Sequence, residues 1–181
     1  APVYWAEEHE YLRRVRERVA GESELRGLYQ EHNLQTAFVA LRALHIPNKA
    51  IGEGFAHVCT LTGLRGRWET LATKPLTLCD TGHNSHGLRY VFEQLEGLHR
   101  SHGGTLRIVF GMVKDKDIDV VRRLMPKDAV YYFCQARTSR AIPADMTVEE
   151  AVRKAQKEAS DEDIIFIGGS NYVVGEALPL F

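Results

Sequence analysis

Apolar residues follow two different rhythms along this chain. Between 34 and 44 they recur at Leu34, Ala37, Phe38, Leu41 and Leu44, the spacing of a helix with one buried face. Pro47 interrupts that rhythm, Asn48 can cap a second helix, and Ala50, Ile51, Phe55, Val58 and Cys59 give it an apolar stripe. From Leu76 onward, short apolar runs alternate with amphipathic stretches instead. The pattern predicts strands over 76–79, 106–110, 130–133 and 164–167, with helices over 87–99, 118–124 and 148–158 between them. Strands joined by helical crossovers make a parallel α/β sheet with helices on its faces.

The segments before these elements are read differently. Residues 2–6 form a short apolar start that can be a strand, and 7–19 is dense in charge, with Arg13, Arg14, Arg16 and Arg18 close together. The latter reads as a solvated helix or surface segment, a strand-rich remnant of another domain being the alternative. Residues 61–70 carry Gly63 and Gly66, which permit close backbone approach, with Arg65 and Arg67 bracketing the turn. This stretch reads as a linker that touches a ligand.

In an open parallel sheet, ligands bind beyond the carboxyl ends of the strands, so the loops that follow the predicted strands carry the chemistry. The first, Asp80-Thr-Gly-His-Asn84, combines an acid that can accept from a ribose or hold a metal, a histidine that can carry a proton, and an orienting asparagine. On spacing alone, Asp80 and Asn84 serve equally well as caps for the helix that follows. Gly111-Met-Val-Lys-Asp-Lys-Asp117 can grip a phosphate or an amino acid, or can cap a helix from Asp117 and solvate a loop. Arg137 and Arg140 suit carboxylate or phosphate binding, or a solvated surface loop. Gly168-Gly-Ser-Asn-Tyr172 has the small residues of an anion-binding turn, or simply makes room for a last helix.

Composition narrows the function classes. The 23 basic and 24 acidic side chains cancel to a net charge of −1, so no basic excess argues for a nucleic-acid partner. No apolar run is long enough to span a bilayer and no signal segment opens the chain, which reads as cytoplasmic without a membrane partner. Cys59, Cys79 and Cys134 sit in apolar segments without zinc spacing, and read as small buried hydrophobes in a reducing compartment. The histidines show no metal-ligand spacing, and the expected metal set within this chain is none. There is no G-x-x-x-x-G-K-[ST] loop, no G-x-S-x-G elbow and no H-E-x-x-H helix. The first residue is Ala, which reads as a processed chain or a fragment.

Five motifs in order, Gly27-Leu-Tyr-Gln-Glu-His-Asn33, Gly66-Arg-Trp-Glu69, Asp80-Thr-Gly-His-Asn84, Phe110-Gly-Met-Val-Lys-Asp-Lys-Asp117 and Ala136-Arg-Thr-Ser-Arg-Ala141, resemble the bifunctional dihydrofolate synthase/folylpolyglutamate synthase family of the Mur ligase superfamily. The resemblance implies the C-terminal part of such an enzyme: residues 1–61 as a helical remnant of the central ATPase domain, 62–75 as interdomain linker, and 76–181 as a Rossmann-like, mainly parallel C-terminal glutamate-ligase domain. It further implies an ATP-dependent ligase that joins L-glutamate to dihydropteroate or reduced folates through an acyl phosphate. The glycine-rich phosphate loop and most Mg2+ ligands would lie in the absent N-terminal and central domains, and the chain alone would be inactive.

By that family pattern Asn33 would meet the adenine, Arg67 the ATP phosphates, and Asp80 the ribose or nearby nucleotide. His83 would sit near the reacting groups as the catalytic residue, with Asn84, Lys114, Lys116 and Ser170 on the substrate side. The sequence departs from the pattern at Thr81-Gly82 and Ser85, where relatives usually carry Gly-Ala and Pro. A non-catalytic α/β module that binds a nucleotide or amino acid and regulates a partner is the competing reading.

Overall fold

A computed structural model describes residues 23–181, so the expectations for 2–6 and 7–19 lie outside the described residues. The chain divides into two compact units, the first ending at Arg65 and the second running from Gly66 to Phe181.

In the first unit, α1 (Gln30–Ala43) and α2 (Asn48–Ala56) are followed by the short α3 (Val58–Thr62). Leu34 and Phe38 on α1 meet Ile51 and Phe55 on α2 in a small core, the faces that the helical spacing marked out. Pro47, in extended conformation, occupies the N-cap position of α2, and Asn48 is its first residue rather than its cap. The apolar stripe expected to continue through Val58 and Cys59 is broken at His57, and α3 ends at Gly63 in a left-handed conformation. Glu24 holds the start of α3 by accepting from the amides of Cys59 and Thr60.

The second unit is one six-stranded sheet. In chain order its elements are β1 (Glu69–Thr73), β2 (Leu76–Asp80), α4 (Ser85–His102), β3 (Leu106–Phe110), α5 (Ile118–Leu124), β4 (Val130–Gln135), β5 (Met146–Thr147), α6 (Val148–Glu158), β6 (Ile164–Gly168) and α7 (Asn171–Ala177). The strands lie in the order β1-β2-β6-β3-β4-β5. All neighbours pair in parallel except β1, which runs antiparallel to β2. The expected mainly parallel α/β sheet is therefore present, and β1 is an addition: the stretch read as linker contributes an edge strand.

Alternation along the strands sends side chains to two faces. Cys79, Val109, Tyr132, Cys134, Ile165 and Ile167 point to one, where α6 supplies Val148, Ala151, Val152 and Ala155 and α7 supplies Val173, Val174 and Ala177. On α4, Leu88, Val91, Phe92 and Leu95 are buried, and the Phe92 ring meets Phe110 of β3 at 6.0 Å between centroids. Every residue of β6, the strand inserted between β2 and β3, is buried, as expected of a central parallel strand covered on both faces. No helix among the described residues is long and apolar enough to cross a membrane.

Candidate active site at the carboxyl edge

Register decides which loops meet. Asp80 of β2 stands opposite Gly168 of β6, Gly168 opposite Phe110 of β3, and Phe110 opposite Phe133 of β4. The four loops that follow these strands therefore emerge at one edge, as the parallel topology requires. Gly169, with φ +91°, turns the chain out of β6 where a Cβ would stand 2.7 Å from the Gly111 carbonyl oxygen, so only glycine fits the turn.

The loop after β2 is built around Asp80. This side chain is completely buried. One carboxylate oxygen accepts from the amide of Gly82 at 2.7 Å, and the other accepts from the amide of Trp68 at 2.8 Å. The Trp68 bond reaches into residues 66–68, just before β1, and a second link joins the same segments: the Thr81 amide donates to the Gly66 carbonyl at 2.9 Å. Glu69 accepts from the Gly66 amide at 2.7 Å. Gly66 and Trp68 both have positive φ, +73° and +51°. Between them stands Arg67, half-buried, whose guanidinium has no partner among the described residues.

His83, also half-buried, places Nδ1 3.0 Å from the Thr81 carbonyl oxygen. A carbonyl can only accept, so Nδ1 carries a proton, and in the tautomer this selects the lone pair lies on Nε2. Asn84 is the N-cap of α4, its Oδ1 accepting from the Gly87 amide at 2.8 Å, so the capping alternative holds for this residue. Ser170 is likewise the N-cap of α7, buried, with Oγ accepting from the Tyr172 amide. Asn33 belongs to the first unit, exposed on α1, where its side-chain amide donates to Gln30 at 2.9 Å.

The loops after β3 and β4 zip together. Val113 and Ala141 form an antiparallel bridge, the Lys114 amide donates to the Arg140 carbonyl, and the Ile142 amide donates to Met112. Asp115 pairs with Arg140 at 2.9 Å and with Lys116 at 3.8 Å, while Lys114 Nζ donates to the Ser139 carbonyl at 3.2 Å. Despite some burial, the Asp115 carboxyl is held below its usual range by hydrogen bonding and by the charges of Arg140 and Lys116. Asp117 caps α5, leaving Lys114 exposed and Lys116 partly so. An apolar cavity of about 260 Å³ lies beside these loops under α5, with Arg122 its one charged neighbour. It offers no convergence of polar groups comparable to that at Asp80.

The residues that spacing did not single out for a role are Trp68 and Glu69. Their only signal was position, next to a glycine and an arginine ahead of an apolar run that ends in an acid. Among the described residues no group of His, Cys, Asp and Glu is arranged to hold a metal ion.

Comparison with known proteins agrees with this geometry. A family model described as Mur ligase, glutamate ligase domain, matches residues 66–171. A dihydrofolate synthase/folylpolyglutamate synthase of Buchnera aphidicola subsp. Baizongia pistaciae is 30% identical over 131 residues, 63% of this chain and 30% of that protein. The solved structure of Escherichia coli FolC in complex with DHPP and ADP superposes with a TM-score of 0.71 at 25% identity, covering 82% of this chain and 38% of that one. A bifunctional folylpolyglutamate synthase/dihydrofolate synthase with Mn, AMPPNP and L-glutamate bound gives 0.65 at 26% identity, covering 81% and 39%. The chain thus spans well under half the length of these relatives. With its parallel sheet, its loops gathered at one edge and a family match over most of the second unit, this chain belongs to the Mur ligase family through its glutamate ligase domain.

Proposed function

We propose that this chain supplies the glutamate-ligase domain, and a helical piece of the neighbouring ATPase domain, of an ATP-dependent ligase that adds L-glutamate to dihydropteroate or reduced folates. The observation that carries the reading is the pairing of two loops at the end of β2, one presenting Arg67, unpartnered among the described residues, and the other His83 with Nε2 available. Carboxylate activation by phosphoryl transfer needs positive charge where phosphate oxygens gather, and it needs two substrates aligned in a cleft shielded from water. Arg67 fits the first requirement: its guanidinium is half-buried and uncommitted, and a planar fork suits phosphate oxygens.

His83 fits the second. A ring fixed through Nδ1 presents Nε2 in one orientation, able to accept a hydrogen bond from the attacking amine or to take its proton as the amide forms. Lys114 and Lys116, in the charged loop after β3, are assigned to the substrate side, and Asn33 to adenine. Asn84 and Ser170, whose side-chain oxygens cap helices, act on the substrate side by fixing where α4 and α7 begin. Mg2+ would neutralise phosphate charge, but the described residues offer it no ligand set. Its ligands, like the phosphate cradle, are assigned to a companion domain of the same enzyme, and the 181-residue chain by itself is expected to be inactive.

The test is phosphate release in the parent polypeptide with ATP, glutamate and a reduced folate. Arg67→Ala should lower ATP affinity or turnover roughly ten- to a hundred-fold, the loss of one charge-assisted bond of about 1.5–3 kcal/mol. An unchanged rate and unchanged ATP affinity would return Arg67 to the surface. Turnover by the 181-residue chain alone would contradict the assignment of the cradle to another domain.

A further inference from the structure

We propose that Asp80 is a positioning residue, a buried clamp that fixes the loop bearing Arg67 against the loop bearing His83. The kinetic part of this inference rests on the phosphate role proposed for Arg67. The clamp does not.

A carboxylate with no exposed surface must find its compensation inside the protein, and Asp80 finds part of it in two backbone amides that belong to different segments. The Gly82 amide lies two residues on, in the loop that carries His83. The Trp68 amide lies across the unit, on the residue directly after Arg67. Trp68 needs such support. Its φ of +51° is a left-handed conformation that bulky side chains rarely adopt, and it persists only where the surroundings impose it. Here the Asp80 bond holds its amide, and its ring packs against Phe166 of β6 at 6.2 Å between centroids.

The residue on the other side of Arg67 is fixed as firmly. Gly66 receives the Thr81 amide on its carbonyl and gives its own amide to Glu69. A Cβ at Gly66 would stand 2.8 Å from Val174 and 3.0 Å from Thr81, so the backbone lies directly on α7 and on the His83 loop. Arg67 is therefore the one uncommitted residue between two immobilised neighbours. That is the arrangement of a preorganised arm, which meets an anion without first losing backbone freedom.

Asparagine is nearly the same size as aspartate but has one acceptor oxygen, and its amide nitrogen cannot accept a hydrogen bond. In Asp80→Asn, one of the two backbone amides must therefore lose its partner. Two measurements separate the clamp from its kinetic consequence. In the 181-residue chain, hydrogen exchange at the Trp68 or Gly82 amide should speed about ten-fold or more in Asp80→Asn, the effect of one lost charge-assisted bond. Exchange at Ile108 and Phe166 should stay unchanged. Gly66→Ala, which keeps Asp80 but crowds Val174, should speed Trp68 exchange by a second route and serves if Asp80→Asn does not fold.

In the parent polypeptide, Asp80→Asn should raise KM for ATP about ten-fold, and it should add nothing further in an Arg67→Ala background. A residue that only held the fold together would weaken both backgrounds equally. Additive effects, or exchange at Trp68 and Gly82 unmoved by either variant, would overturn the clamp. A parent that releases no phosphate with ATP, glutamate and folate would instead overturn the proposed ligase activity, and the exchange measurement would still decide the role of Asp80.

Discussion

The tightest constraints in this molecule are on single residues at the end of β2, and one of them is unsatisfied. Thr81 Oγ1 is the one buried side-chain polar atom without a hydrogen-bond partner among the described residues. Burying a hydroxyl without a partner destabilises, whereas a methyl of the same shape would not. Thr81→Val should therefore stabilise the chain by about 1 kcal/mol, raising its melting temperature by about 2–4 °C. A lower melting temperature would mean that the hydroxyl has a partner that matters. At this scale the sequence was legible wherever the chemistry is local. Asn84 and Asp117 announce helix starts because a cap bonds to amides two or three residues on. The bond from Trp68 to Asp80 crosses twelve residues and depends on a backbone conformation that no spacing rule reveals. The buried thiol of Cys134, by contrast, was readable from its apolar neighbours in the sequence. Burial, with Glu176 adding to it, pushes that thiol up to about 12 and leaves it inert.

Among elements, the helices over 118–124 and 148–158 begin and end where their patterns do, because each starts at a side-chain cap. For α6 the device is a full capping box. Thr147 Oγ1 accepts from the Glu150 amide, and the Glu150 carboxylate accepts from the Thr147 amide and hydroxyl. Those bonds hold the Glu150 carboxyl below its usual range. Since α6, together with α7, covers one face of the sheet, the cap bears on the main core. Thr147→Ala should lower unfolding free energy by about 1 kcal/mol, read as a lower denaturant midpoint at unchanged slope. A midpoint that does not move would show that burial of Val148, Ala151 and Val152 alone holds the helix start. What the pattern did not reveal is β1. Residues 69–73 are few and largely polar, and they form a strand only because the β2 edge offers them a partner. Strand order was equally hidden. Periodicity marks the four strands β2, β3, β4 and β6, but neither the short β5 nor the return of β6 to lie between β2 and β3.

The whole second unit is polar in the sense that its two sheet edges do different work: the carboxyl edge carries the candidate site, and the amino edge carries a buried ionic tie. Asp163, ahead of β6, accepts from Arg107 Nε at 2.8 Å, from the Thr105 amide at 2.9 Å, and from both the amide and the hydroxyl of Ser160. Arg107 also donates to the Tyr132 hydroxyl, which in turn donates to Glu158 at the end of α6. One arginine in an otherwise apolar strand thus joins β3, β4, α6 and the approach to β6. Burial pushes the Asp163 carboxyl up, but the bonds it accepts outweigh that, and it falls to about 2 from an ordinary 3.8. A carboxyl depressed on folding contributes stability that is fully present above its unfolded value and is lost as pH falls through its folded value. That difference, 3.8 − 2, corresponds to about 2 kcal/mol, present at neutral pH and lost between about pH 4 and pH 2. Asp163→Asn removes the charge at every pH. It should destabilise the chain at pH 7, where Arg107 loses its nearest charge partner, and its stability should fall less steeply than that of the parent sequence between pH 4 and pH 2. Urea unfolding at pH 7, 4 and 2 reads both effects. Parallel losses in the two proteins across that acid range would show that Asp163 is not the group whose protonation loosens the amino edge.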